Sequence, residues 1–250
     1  MLLLFAAFGA GFIDAIIGGG GLIQLPALMF FFKGKALPLI FGTSKLAGFA
    51  GTSVAAVKYL SKTKVIFRAI FPAILFAIPC AYFGAMAVKG INEKTLKPII
   101  IVLFSLVAIY TFFNKNFGVS KKAKEISGKK QIILSALTGL IIGFYDGFFG
   151  PGTGSFLVFI YVVLFGFEFL QASAHAKLVN AVTNIAALCL FISHGDVDFY
   201  VAIPVAIMNI GGSLLGTSLA IKKGSGFIRV FFIIVVTAFI IKMTVDLFTS

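Results

Sequence analysis

Seven apolar stretches run through the chain, at 36–57, 65–88, 99–113, 131–149, 169–192, 197–221 and 226–248. All but 99–113 approach or exceed the roughly 20 residues that a helix needs to cross a bilayer core. None alternates in the short-segment manner of a barrel strand, so these are read as helices. A composition that is 60% hydrophobic and 12% charged, with mean hydropathy +1.11, is too apolar for a water-soluble domain. The leading MLLLFAAF carries neither a basic region nor a small-residue cleavage site, and is expected to be a retained membrane segment. The expected fold class is an all-α, multi-pass integral membrane protein.

Sliding the chain against itself by 132 residues aligns two halves without a gap. Gly11, Phe12, Asp14, Gly18 and Gly20 fall on Gly143, Phe144, Asp146, Gly150 and Gly152, and later Lys45 meets Lys177, Pro72 meets Pro204 and Gly84 meets Gly216. The scarce Asp, Lys and Pro carry this argument, because Phe, Ile and Ala coincide readily in so apolar a chain. The organisation read from it is a first membrane repeat at 1–113, a basic cytoplasmic linker at 114–130 and a second membrane repeat at 131–250.

Each half opens with a carboxylate followed by a glycine break, GFIDAIIGGGG and GFYDGFFGPGTG. Residues 2–32 read as two half-length helices that enter the membrane, turn at Gly18 to Gly21 and leave on the same side. Such a re-entrant helical hairpin plus three spanning helices gives each half an odd number of crossings and makes the tandem homologous halves inverted repeats. Loop charge supports inversion. It places thirteen Lys and Arg on one side and five on the other, whereas parallel halves give ten and eight. The linker then lies in the cytoplasm.

Paired glycine breaks at matching positions point to a substrate site, because half-helix N-termini aim unpaired N–H groups and a positive dipole end at an anion. Gly20 and Gly21 in the first half, and Gly152, Thr153, Gly154 and Ser155 in the second, are the candidate cradle. Lys45 and Lys177 lie about two turns inside their spans, where a charge is costly and is kept for use; snorkelling to the headgroups is the competing account. Thr43, Ser44, His175, Asn180, Thr183 and Asn184 surround them in sequence and offer donors for oxyanion oxygens, or interhelical hydrogen bonds. Asp14 and Asp146 are read either as ion-pair partners of the lysines or as carriers of a coupling proton.

Other classes fit less well. The net charge of +13 would suggest nucleic acid in a soluble protein, but here the basic residues sit in loops, where topology and anionic lipid account for them. No GxxxxGK[ST] loop is present for an ATP-driven cycle. His194, Asp196 and Asp198 in SHGDVDF read as a solvated loop, and Cys80 and Cys189 lack metal-ligand spacing, so no metal or cofactor is expected. An intramembrane aspartyl enzyme is disfavoured because Tyr145-Asp146 has no companion GxGD motif and Ile13, not Tyr, precedes Asp14. Pro72, Pro79, Pro204 and the pair Gly211-Gly212 are expected to kink the third span of each half.

GFIDAIIGGGG with its echo GFYDGFFGPGTG, followed at matching distances by GTSKLAG and HAKLVNAVTN, resembles the sulfite exporter TauE/SafE family of bacterial and archaeal membrane permeases. The likeness covers essentially the whole chain. It implies a secondary transporter in the cell (inner) membrane, carrying a small sulfur-containing anion such as sulfite or an organosulfonate by alternating access, with no ATP. A passive anion channel is the alternative that the same residues would serve. The expected partners are a small anionic substrate, membrane lipid and a coupling proton or cation; oligomeric state is left open. HAK stands where the first half has TSK, and Asn180 and Asn184 stand against Gly48 and Thr52, so the halves are not expected to contribute equally.

Overall fold

A computed structural model describes residues 1–88, 118 and 128–249. The apolar stretch 99–113 and most of the linker lie outside these residues. Eight helices make up the described chain: α1 (Leu2–Ile17), α2 (Gly21–Phe31), α3 (Leu37–Leu60), α4 (Phe67–Ala87), α5 (Gly128–Phe148), α6 (Thr153–Phe165), α7 (Phe169–Ser193) and α8 (Phe199–Thr249). Helices α3, α4, α5 and α7 fall within a few residues of four of the apolar stretches read from sequence, α8 runs through two more, 197–221 and 226–248, and α1, α2 and α6 lie outside the seven. Pro38 opens α3 in the first turn, where a missing N–H costs nothing.

The repeat survives as geometry. The starts of α2, α3 and α4 at Gly21, Leu37 and Phe67 recur 132 residues later at Thr153, Phe169 and Phe199, the starts of α6, α7 and α8. Packing is reciprocal between halves: α1 lies on α8 and α5 lies on α4. Equivalent atoms make equivalent approaches, since a Cβ on Gly216 would overlap the Phe12 carbonyl and one on Gly84 would overlap the Phe144 carbonyl.

The α4–α5 seam shows why the sequence allows such close packing. Gly139, Gly143 and Gly147 of α5 sit over Ala73, Ala77 and Ala81 of α4, with room for no side chain between the backbones. Small residues repeated every four positions give helices their van der Waals contact where lipid supplies no hydrophobic drive between them. The opposite face of α4 carries Phe67, Phe71, Leu75, Ile78, Tyr82 and Met86, all exposed. That arrangement, large apolar groups outside and alanine inside, suits a helix bathed in acyl chains.

Among the described residues, Phe67–Ala87, Gly128–Phe148 and Phe169–Ser193 are long and apolar enough to cross a membrane. In α7 67% of the most apolar window is buried, against 39% in α4 and α5, so α7 is the central helix of the three. By contrast α2, with 11 residues, and α6, with 13, extend only about 16 and 20 Å, short of a hydrocarbon core of about 30 Å. The main backbone break in α8 is at Gly224, with φ 72° and ψ −171°, rather than at Gly211-Gly212. Gly212 serves a different purpose: a Cβ there would overlap the Phe8 carbonyl on α1.

Candidate functional site

The first glycine break begins where α1 stops. Gly18 takes a left-handed conformation, φ 81°, and donates its N–H to the Asp14 carbonyl at 2.7 Å. After Gly19 and Gly20 the chain restarts as α2. In the second half Phe149 and Gly150 donate to the Tyr145 carbonyl at 2.8 and 3.1 Å, and Gly150 and Gly152 both have positive φ before α6 begins. The two breaks meet. A Cβ on Gly18 or on Gly154 would overlap the other's backbone, Ser155 N–H donates to the Gly18 carbonyl at 3.1 Å, and Ser155 Oγ donates to the Ile17 carbonyl at 3.0 Å.

Each carboxylate is matched to the lysine of the opposite half. Lys45 Nζ on α3 lies 2.8 Å from Asp146 Oδ2 on α5 and donates to the Asp146 carbonyl at 2.6 Å. Lys177 Nζ on α7 lies 2.6 Å from Asp14 Oδ2 on α1 and also donates to the Asp14 carbonyl. The two pairs are unequally supported. Asp14 Oδ2 additionally accepts from Thr52 Oγ1 at 3.0 Å and Oδ1 from the Gly20 N–H at 3.4 Å. Thr52 corresponds to Asn184 in the second half, and Asn184 donates instead to Asn180 on its own helix, at 2.8 Å to the carbonyl and 3.2 Å to Oδ1.

A cavity of about 60 Å³ lies where these elements converge. On the measure by which one water needs about 10–15 Å³, this holds a few waters or one small ion. Its lining includes Gly18, Gly20 and Gly21 from the first break, Gly150, Pro151, Gly152 and Gly154 from the second, and Lys45, Asp14, Asp146, Ser44, Asn180 and Asn184. The N-termini of α2 and α6 thus open onto it. Lys177, Thr43, Thr153, Ser155 and His175 are not part of the lining. Lys177 is fully buried against Asp14, Thr153 Oγ1 donates to the Gly150 carbonyl at 2.7 Å, and Thr43 Oγ1 accepts the Asp198 N–H at 3.1 Å. His175 Nε2 accepts the Ile66 N–H at 3.0 Å while Nδ1 faces the Gln171 carbonyl at 2.8 Å, so both ring nitrogens are committed to backbone. Thr183 donates to the Asn180 carbonyl.

The lining also contains Thr52, which the repeat comparison set against Asn184, and two residues that motif reading passed over, Gln24 and Asn209. Gln24 Nε2 donates to the Ser44 carbonyl at 2.8 Å and to Ser44 Oγ at 3.0 Å, and Gln24 Oε1 accepts from Asn209 Nδ2 at 2.6 Å. The positions equivalent to Gln24 and Asn209 in the other half are Phe156 and Ala77. The signal lay in that mismatch, a polar pair on one side of the repeat answered by an apolar pair on the other. The cavity is therefore polar on its α2–α3–α8 flank. With Gln24 accepting from Asn209 and Ser44 Oγ accepting from Gln24, the Ser44 hydroxyl and the second Asn209 N–H are left as donors, beside the Lys45 ammonium.

Among the described residues, three helices long and apolar enough to cross a membrane, paired breaks and buried charges around a cavity make a multi-pass membrane protein, and the class follows from its relatives. The sulfite exporter TauE/SafE family model matches residues 3–243, and the chain belongs to that family. It is 33% identical over 245 residues to a probable membrane transporter protein of Haemophilus influenzae, covering 98% of this chain and 94% of that one. It is likewise 33% identical over 246 residues to a probable membrane transporter protein of Escherichia coli (strain K12), covering 98% and 89%. An archaeal relative, a probable membrane transporter protein of Methanocaldococcus jannaschii, is 24% identical over 232 residues, covering 88% and 85%. No solved structure matches the chain.

Proposed function

We propose that this protein is a secondary transporter of a small sulfur-containing anion, sulfite or an organosulfonate, held in the cavity between the two glycine breaks. The observation that carries the reading is the meeting of two helix N-termini and the Lys45 ammonium on one small cavity. Backbone N–H groups and an ammonium together favour an oxyanion over a neutral or cationic solute. The family's name supplies the sulfur chemistry. The cycle is alternating access: the halves act as inverted repeats, α1–α2 and α5–α6 as re-entrant hairpins, and the site is exposed to each side in turn.

The low exposure of the lining side chains, 7% for Lys45, 2% for Asp146 and 3% for Gln24 and Asn209, supports a carrier with an occluded site over an open anion channel. Each aspartate is engaged by a lysine and not by the other aspartate, which counts against the shared-proton dyad of an aspartyl hydrolase. The deciding experiment is flux of radiolabelled sulfite, thiosulfate and methanesulfonate into proteoliposomes. A carrier gives saturable uptake and counterflow that Lys45→Ala abolishes. Unchanged flux in that variant sinks the site, and linear uptake without counterflow sinks the carrier in favour of a channel.

A further inference from the structure

We infer that Leu25, Phe41 and Phe149 determine the specificity of the site, by receiving the end of the anion that carries no oxygen and turning away a fourth oxygen. This deepens the anion-binding reading above and rests on it. These three are the large apolar side chains of the cavity, whose lining is otherwise glycine, Pro151 and polar residues. They form one wall. The rings of Phe41 and Phe149 meet edge to face with centroids 6.4 Å apart, and Leu25 and Phe41 share a buried cluster on which Phe149 packs. On α3, Phe41 stands one turn before Lys45 and on the same face, with Gly48 and Thr52 following on the other side of the lysine. The wall therefore lies one helical turn from the ammonium. Duplication alone did not put it there: the equivalents of Leu25, Phe41 and Phe149 are Leu157, Ser173 and Ile17, all fully buried and outside the lining.

A cavity with donors on one side and hydrocarbon on the other sorts tetrahedral anions by their fourth substituent. Sulfate carries oxygen in every direction, so any orientation that keeps three oxygens on the Lys45 ammonium and the glycine-break backbone presses the fourth onto the wall. That oxygen gives up its water and meets no donor. Sulfite, thiosulfate and the alkanesulfonates gather three oxygens on one side of sulfur and offer a lone pair, a second sulfur or a carbon on the other. Such an end meets Leu25, Phe41 and Phe149 without stranding a polar atom, and a methyl group there gains from leaving water. Leu25 and Phe41 are only 4% and 5% exposed, so the wall is held by its own packing and does not give way to admit water beside a fourth oxygen. Thiosulfate against sulfate is the decisive comparison, because the two dianions differ only in sulfur for oxygen and the preferred one is the larger.

The test is calorimetric titration of the purified full chain with thiosulfate, sulfate and methanesulfonate. Wild type is expected to bind thiosulfate at least about tenfold more tightly than sulfate, the effect of one stranded polar atom. Phe41→Ser copies the second half, breaches the wall and supplies a hydroxyl, and is expected to bring the thiosulfate-to-sulfate ratio down to about one. Phe41→Leu keeps the wall apolar and is expected to retain the preference, which a loss through general destabilisation would not. Should Phe41→Ser fail to fold, the near-isosteric Leu25→Asn carries the same expectation. Equal affinity for thiosulfate and sulfate in wild type overturns the inference while leaving anion binding intact. So does an unchanged ratio in Phe41→Ser or Leu25→Asn, or a ratio lost equally in Phe41→Leu. No binding of any of the three anions overturns the anion-binding reading and this inference with it.

Discussion

Lys45 reaches across the repeat boundary to Asp146, 2.8 Å from nitrogen to carboxylate oxygen, and Lys177 makes the mirror-image reach to Asp14. Each half thereby neutralises the buried charge of the other, and neither half is complete on its own. Removing one member of such a buried pair strands its partner at a cost of about 3–5 kcal/mol. Lys177→Ala is expected to lose about that much stability, read as thermal unfolding in detergent. The double variant Lys177→Ala with Asp14→Asn is expected to recover part of it.

The overlap of Gly18 with Gly154 predicts a sharper failure. Alanine at Gly18 meets both a left-handed backbone and the Gly154 backbone. The conformational penalty alone is about 1–2 kcal/mol, before any displacement of α6. Gly18→Ala is expected to lower the melting temperature and abolish anion flux, whereas Gly34→Ala, also at positive φ but with open space around it, costs only the conformational part. Equal losses in the two would argue against the glycine junction as the point of contact.

Gln24 and Asn209 can be exchanged for what the other half uses at the same positions. Gln24→Leu alone leaves Asn209 and Ser44 without their partner and is expected to cost about 1–3 kcal/mol. The double variant Gln24→Phe with Asn209→Ala copies Phe156 and Ala77. It should be more stable than Gln24→Leu and bind thiosulfate at least tenfold more weakly, measured by calorimetry.

His175 separates structure from selection. Its ring accepts the N–H of Ile66, at the start of α4. His175→Ala is expected to cost about 1–3 kcal/mol of stability and to leave the relative KM values for sulfite, thiosulfate and methanesulfonate unchanged. A shifted preference would bring His175 back to the substrate.

Topology has a direct assay in equivalent loops. Lys62 follows α3 and His194 follows α7, and both are exposed. Single cysteines at these positions, in a background lacking Cys80 and Cys189, should label from opposite faces of the membrane if the halves are inverted. Labelling from the same face would make them parallel.

Helix positions were readable because a 20-residue apolar run has few alternatives in lipid, and the glycine breaks because nothing else in the chain puts four glycines beside a carboxylate. The face of α3 that carries Lys45, Gly48 and Thr52, and that of α7 with Lys177, Asn180 and Asn184, follow from three- and four-residue spacing. The same geometry explains which candidates stand outside the cavity lining. Thr43 and His175 stand two positions before their lysines, about 200° around the helix, and so face away from the cavity. Which lysine meets which aspartate is a fact of packing between halves that no local pattern carries. Gln24 and Asn209 escaped notice for a related reason: they are 185 residues apart and the repeat comparison rewarded matches, whereas their importance lies in having none.

The seam of Gly139, Gly143 and Gly147 on Ala73, Ala77 and Ala81 has no long side chains that could change rotamer to accommodate sliding. A shift of one helix along the other would drive backbone into backbone, so this seam holds α4 and α5 in a fixed register. The seam of α1 with α8 keeps the same close approach at Gly11, Gly212 and Gly216, and differs in that Asn209 and Ser213 stand where α4 has Ala77 and Ala81, adding side-chain hydrogen bonds to Gln24 and to the Gly11 carbonyl.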